Sequence, residues 1–331
     1  MIPLSILDLC RVTQDGGPRQ AIDNAADLAA HAETLGFNRY WVAEHHNMVG
    51  VASAATSLII GHIAQATKTI RVGAGGVMLP NHAPYVIAEQ FGTLETLYPG
   101  RIDLGLGRAP GTDPLASRAL RRPIESADQF PQDVMELQAF LAPPAEGQRI
   151  VATPGAGTQV PLWILGSSQY GATLAAELGL PYAFASHFAP DMLLPALEIY
   201  RSGFKPSEQL DKPYAMVACN VIAAETDEEA RRLSTTQQMS VVNLFRGKRG
   251  LSLPPIDDMD AYWTPSEKAQ AQRWLARSFI GSPARVRAGL DAFAQETRAD
   301  ELIIVSDVYD HAARKRSLEL IAGAAQIRAA A

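Results

Sequence analysis

Three polar clusters interrupt an otherwise apolar rhythm in this 331-residue chain, and each has residues that could do chemistry. The first is Trp41-Val42-Ala43-Glu44-His45-His46-Asn47. Imidazole titrates near neutral pH, so a histidine at a strand end can serve as general acid, general base or hydrogen-bonding partner. Side chains alternate along a strand, which sets His45 on the side opposite Glu44 and His46. Adjacent histidines facing opposite ways do not chelate one ion, and no second His/Asp cluster ends another strand, so no metal site is expected. A satisfied histidine capping the strand is the plain structural alternative. The second cluster is Gly73-Ala74-Gly75-Gly76. Paired glycines in a strand imply a bulge, or a flat group lying against backbone that carries no Cβ. On spacing alone, a bend imposed by sheet closure is the simpler explanation.

The third cluster could bind an anion. Gly105-Leu106-Gly107-Arg108-Ala109-Pro110-Gly111 is not a dinucleotide fingerprint, because its glycine spacing is wrong and Pro110 stands where the helix should begin. It does offer Arg108, a planar cation on a tight loop. Gly166-Ser167-Ser168 precedes a helical pattern, whose first N–H groups aim at incoming anions while serine hydroxyls add donors. A solvated arginine and a serine N-cap are each commonplace. Together they make a phosphate cradle. Ser186-His187-Phe188 adds a further polar and aromatic group.

These clusters need elements to position them, and apolar periodicity supplies those elements. Short apolar runs at 4–9, 39–43, 69–79, 102–106, 162–165, 182–185, 214–224 and 301–305 read as eight strands. Between them lie helical patterns: one ended by Gly36, one at 51–67, one ended by Pro99-Gly100, then 125–141, 169–178, 191–203, 283–296 and 310–328. Asp310 is placed to cap the last of these. Strands alternating with helices favour a single-domain (β/α)8 barrel over 1–331, ahead of an open doubly wound sheet. In a barrel the three clusters fall at the C-terminal ends of the strands, where barrel chemistry sits. Residues 244–265, rich in Gly, Pro and charge, read as a lid or mobile insertion after the seventh strand.

Composition excludes several classes. With 29 basic and 35 acidic residues, and no basic block, a nucleic-acid or membrane-surface binder is not expected. Cys10 and Cys219 have no metal or redox spacing, which suits a reducing cytoplasm. The start MIPLSILDLCR has no signal-peptide pattern, and no apolar run is long enough to span a bilayer.

Taken together, WVAEHHN at 41–47, VGAGGVMLP at 72–80, GRIDLGLGRAPG at 100–111 and ILGSS at 164–168 resemble the bacterial luciferase-like flavin monooxygenase family, along essentially the whole chain. The resemblance implies a TIM barrel that receives reduced FMN from a separate flavin reductase. It further implies that oxygen adds to the flavin and that the resulting hydroperoxide oxygenates a small organic substrate. It implies His45 as the catalytic histidine, a cis peptide between Gly75 and Gly76 against the flavin ring, and phosphate contacts from Arg108, Gly166, Ser167 and Ser168 with Gly171 nearby. Glu44, His82 and His187 are candidates for the substrate pocket. Leu106 stands where the light-emitting enzyme has a reactive cysteine, and Ser167 where it has an acidic residue, so neither light emission nor a long-chain aldehyde is expected. Two alternatives stay open: a deazaflavin-dependent dehydrogenase, whose longer anionic tail would need more cations such as Arg118, Arg121 and Arg122, and a catalytically silent flavin binder. Ser53, Ser57 and Gly61 put small residues at helical spacing along 51–67, a face suited to a homodimer or to packing on the barrel itself.

Overall fold

The computed structural model describes residues 2–109, 113–121 and 124–327; Pro110, Gly111 and Arg122 lie outside the described residues. Among the described residues nine parallel strands are present: β1 (Leu4–Asp8), β2 (Arg39–Val42), β3 (Arg71–Met78), β4 (Ile102–Gly107), β5 (Leu162–Gly166), β6 (Tyr182–Phe184), β7 (Ala215–Ala223), β8 (Ser278–Gly281) and β9 (Glu301–Val305). Eight of them close a ring in the order β6-β5-β4-β3-β2-β1-β9-β7, with β6 pairing β7. The open sheet is thereby excluded and the barrel stands. The ninth, β8, lies outside the ring and pairs only with β7, at Asn220–Ala223. It was not anticipated because it is four residues long and mostly half-buried, so it shows no apolar run.

Helices cover the ring: α1 (Pro18–Leu35), α2 (Thr56–Ala66), α3 (Pro84–Leu97), α4 (Pro114–Ala119), α5 (Phe130–Leu141), α6 (Gln169–Leu178), α7 (Leu193–Gly203), α8 (Asp227–Phe245), α9 (Pro265–Trp274), α10 (Pro283–Thr297) and α11 (His311–Ala325). Their boundaries have local causes. Gly36 ends α1 at φ 88°, a left-handed turn that glycine adopts without a Cβ penalty. Asp310 caps α11 by accepting from the Ala313 N–H, as its position foretold. Thr264 and Glu267 form a reciprocal capping box that starts α9 inside the expected insertion. Among the described residues no helix is long and apolar enough to cross a membrane.

Three expected boundaries are corrected. The helix expected over 51–67 starts only at Thr56, because Val51 is drawn into a bridge with Arg11 and the Ser53 hydroxyl donates to the Ala43 carbonyl. Ser53 is therefore off the helix, and an added Cβ on Gly61 would stand 3.4 Å from Leu94 of α3, so part of the small-residue face packs inside its own barrel. The helix expected over 125–141 divides into a 3-10 turn, Ile124–Gln129, and α5. The segment 244–265 overlaps the end of α8, leaving 246–264 as the irregular part.

The core has two layers. Between ring and helices lie side chains such as Leu28, Ile60, Phe91 and Leu137. Inside the ring, Leu7, Trp41, Trp163, Met216 and Ile303 fill the barrel, with Trp41 and Trp163 edge-to-face at 5.1 Å. Below them Arg39, Arg71, Asp103 and Glu301 close the N-terminal end with paired charges. The filled interior leaves the C-terminal mouth of the barrel open for a ligand.

Candidate active site

The mouth holds a cavity of about 420 Å³ that collects residues from across the ring and from the segment after α8. His45, just past β2, reaches it, while Glu44 and His82 do not. The strand alternation explains this: Glu44 turns away and is buried, with its Oε1 2.7 Å from His46 Nε2 and 2.8 Å from His82 Nε2. Its Oε2 accepts the Met78 N–H at 3.2 Å, which fastens the end of β3 to the end of β2. Burial alone would raise this carboxyl; the hydrogen bonds from His46 and His82 outweigh it and bring it down to about 2.

Glu44, His46 and His82 are also the group of described residues whose ligand atoms gather closely enough, within 4.8 Å, to hold a metal. The sequence concealed it because His82 arrives from beyond β3. Both imidazoles point their Nε2 at one carboxylate oxygen over hydrogen-bond distances, so the cluster as built is a clamp of two donors on an acceptor.

His45 lies in a different environment. Burial pushes its imidazole down to about 4, helped by the nearby Arg11 and Arg249 guanidiniums, so it is neutral at pH 7. Its Nδ1 has no partner. His187, past β6, is likewise pushed down to about 3 by burial and by His45, and its Nδ1 is also unpartnered. Two neutral imidazoles with free ring nitrogens thus border one cavity.

Gly75 and Gly76 line the cavity and are joined by a cis peptide where the β3–β4 register shifts. An added Cβ at Gly75 would lie 2.5 Å from Leu7 Cδ1, and one at Gly76 2.7 Å from the Gly105 carbonyl oxygen. Barrel packing therefore demands both glycines, and the same bareness presents flat backbone to the cavity.

Beyond β4 and β5 the cradle residues come together. Arg108 lies over the Tyr170 ring at 4.0 Å, beside the exposed Ser167 and Ser168. Ser168 is the N-cap of α6, but no side-chain bond caps the helix. Its hydroxyl and the first N–H groups of α6 remain available, which answers the N-capping alternative. Gly166 and Gly171 let α6 approach β5: an added Cβ on Gly171 would stand 3.4 Å from Gly166 Cα. Arg118 and Arg121 are not among the cavity-lining residues.

Arg11 and Gln237 are cavity residues that sequence reasoning missed, and Lys248 and Arg249 fall in the segment expected as a lid but were not singled out. Arg11 and the segment 246–252 meet because Ser252 pairs with the chain after β1, donating to Val12 and accepting from Gln14. Gln237 comes from α8, where the buried run Ser234–Gln237 was the available signal, a polar stretch on a core-facing helix.

The sequence profile of the luciferase-like monooxygenase family matches residues 2–301. An Escherichia coli (strain K12) protein described as a luciferase-like monooxygenase is 53% identical over 96% of this chain and 96% of its own length. The chain belongs to the luciferase-like monooxygenase family. The solved structure of apo-MsnO8 resembles this luciferase-like chain with a TM-score of 0.88 and 34% identity, covering 99% of each. The fold is shared more distantly, at 20% identity and TM-score 0.76 over 99% of this chain and 98% of the other, by the oxygenating constituent of 3,6-diketocamphane monooxygenase from Pseudomonas putida in complex with FMN. An F420-dependent secondary alcohol dehydrogenase also shares it, at 15% identity and TM-score 0.71, over 98% of each chain. Membership makes this a chain of a monooxygenase family with flavin-linked neighbours.

Proposed function

We propose that the protein is a two-component monooxygenase that takes reduced FMN from a separate flavin reductase and uses O2 to oxygenate a small organic substrate. The observation that carries this reading is the cradle: an uncapped helix start, two free serine hydroxyls and one stacked arginine beside a cavity that also holds His45. Arg108, Ser167, Ser168 and the first N–H groups of α6 would hold the phosphate, and Gly75-Gly76 would lie against the isoalloxazine. When bound, reduced flavin supplies the electrons that activate oxygen. His45, neutral at pH 7, holds a hydrogen bond or accepts a proton through its free Nδ1. His187 offers a second free ring nitrogen to the substrate.

Segment 246–264 closes over the site and keeps water from the reacting groups. Among the described residues, Arg108 is the cavity-lining cation beside the cradle, which suits a single phosphate better than the long anionic tail of a deazaflavin. The neighbour bound to FMN supports the same choice. Pairing into a homodimer through α2 remains part of the proposal, with Leu58 on that helix 73% exposed. Sedimentation as a monomer would remove it.

The test is an anaerobic titration with pre-reduced FMN, followed by oxygen in a stopped-flow spectrometer. Saturable binding and a transient absorbance distinct from free oxidised FMN are expected. Absence of reduced-FMN binding overturns the cofactor assignment. Binding without a transient, or with no product from any substrate, leaves a silent binder.

A further inference from the structure

The cavity carries a charge opposite to that of the protein. The chain has a net charge of -6, yet the formally charged side chains lining the cavity among the described residues are Arg11, Arg108, Lys248, Arg249 and Asp307. Arg108 is engaged at the cradle beyond β4. The other three cations stand apart from it. Arg11 follows β1, which faces β5 across the ring, and Lys248 and Arg249 sit on the arm that Ser252 ties to the chain after β1. Their present partners hold them loosely: Arg11 Nε is 3.4 Å from Asp307, and Arg249 Nη1 is 3.4 Å from Asp113. Good charge-assisted bonds are shorter, about 2.7–2.9 Å. Lys248 is exposed, and its Nζ has no acceptor among the described residues. The protein therefore accumulates positive charge beside His45 that its own carboxylates satisfy only in part.

A second feature narrows the ligand. Asn220 Nδ2 donates to the His187 carbonyl at 2.8 Å, which fixes the orientation of that amide because a carbonyl can only accept. Asn220 Oδ1 must then accept, and Gln237 Nε2 donates to it at 2.7 Å. Gln237 Oε1 is consequently left buried with no donor. A buried acceptor without a partner is costly, by about 1–3 kcal/mol, unless a ligand supplies the hydrogen. Phe188, Val241, Leu244 and Trp274 give this wall an apolar stretch, with Ser240 and Asn243 as its further polar members.

We propose that the substrate is a carboxylic acid that also bears an N–H or O–H donor and an apolar body. Arg249 and Lys248, with Arg11 behind them, hold the carboxylate; Gln237 Oε1 takes the donor; the apolar body lies along Phe188 and Trp274. A planar guanidinium fork matches a planar carboxylate, whereas the helix start and hydroxyls that suit a phosphate are at the other pole. This proposal rests on the monooxygenase reading for what happens to the bound acid, but not for its binding.

The test uses the full chain saturated with reduced FMN under argon. N-Acetylmethionine, N-acetylphenylalanine and hexanoylglycine are titrated calorimetrically beside their methyl esters. At least one acid should bind about tenfold more tightly than its ester. The double substitution Lys248→Gln/Arg249→Gln should abolish that preference while leaving reduced-FMN affinity unchanged, since their arm is tied beside the chain after β1, across the ring from the cradle that follows β5. Arg108→Gln should do the reverse. N-Methylation of the favoured acid should weaken binding in the parent protein and have no effect in Gln237→Met. Equal binding of acids and esters across the panel, or a preference that survives the double substitution, overturns the proposal. Failure of wild-type protein to bind reduced FMN counts against the cofactor reading instead, and the acid–ester comparison on the cofactor-free chain still decides this one.

Discussion

At the N-terminal end of the barrel Asp103 and Glu301 are wholly buried with every carboxylate oxygen engaged, whereas at the mouth His45, His187 and Gln237 are left with unpartnered atoms. Asp103 receives Arg39, Arg71 and the Trp41 indole; Glu301 receives Ser5, Asn38, Arg39 and Tyr214. The same chain thus pairs the two carboxylates buried at one end of the barrel interior and leaves polar atoms around the cavity unpaired at the other. A buried charge network that is fully paired fixes a structure. Unpaired polar atoms around a cavity fix nothing by themselves, and they are what a ligand would complete. The contrast teaches that the barrel's stability and its chemistry are built at opposite ends of the same strands.

Substitutions at the two ends should separate those roles. His45→Ala is expected to lower turnover by about 10²–10⁴-fold if His45 works as a general acid or base, while the unfolding midpoint shifts by less than about 1 kcal/mol. Intact turnover in that variant removes the assignment. Glu301→Ala strips a buried partner from Arg39, Tyr214 and Asn38 and should cost about 3–5 kcal/mol in urea denaturation, with reduced-FMN affinity per folded molecule unchanged. A loss below about 1 kcal/mol would mean that the charge network is not the stabilising end. Ser168→Ala should weaken reduced-FMN binding several-fold. It should cost less than the roughly 1 kcal/mol typical of a lost N-cap, because its hydroxyl caps nothing in the free protein. A full N-cap loss with unaltered flavin binding would return Ser168 to a structural role.

The smallest effect concerns pH. His45 has a folded value of about 4, below its ordinary 6.5, so between these values the unfolded chain binds more protons and stability falls as the pH drops. Glu44, held near 2 against an ordinary 4.5, adds a second loss as the pH falls through that lower window. His187, held near 3, loses stability across the same upper window, so His45→Ala should reduce the upper slope to the share His187 contributes and leave the Glu44 loss in place. Equal slopes in both proteins would assign the upper window to another group.

Much of the site was legible because it lies on regular elements. Alternation along β2 separated His45 from Glu44 and His46, and the structure keeps them on opposite sides. Ser167-Ser168 at a helix start and Arg108 at a strand end could be read as a pair because both follow neighbouring strands. Arg11, Lys248 and Arg249 could not, since loops far apart in sequence bring them together and loops carry no periodicity. His82 was placed in the pocket because histidine near a strand end suggests chemistry, yet its ring turns to Glu44. The short, half-buried β8 shows no apolar run and the polar inner side of α8 breaks the rule that buried means apolar, which is why the additional strand and Gln237 were hidden.

The arm bearing Lys248 and Arg249 is held at two fixed posts. Arg246 binds Glu267 through paired bonds of 2.7 and 2.9 Å, and Ser252 is tied to the chain after β1. Only Gly247 to Leu251 spans the gap, crossing so close to Gly50 that an added Cβ there would stand 2.2 Å from the Gly250 carbonyl oxygen. The span contributes no strand to the ring, and its first two residues, Gly247 at φ 71° and Lys248, close the end of α8 by donating to the Leu244 and Asn243 carbonyls. Lys248, Arg249 and Leu251 thus present their side chains to the cavity from a short bridge on which no strand of the ring depends, so substitutions of those side chains should retune what the mouth accepts at little cost to the barrel.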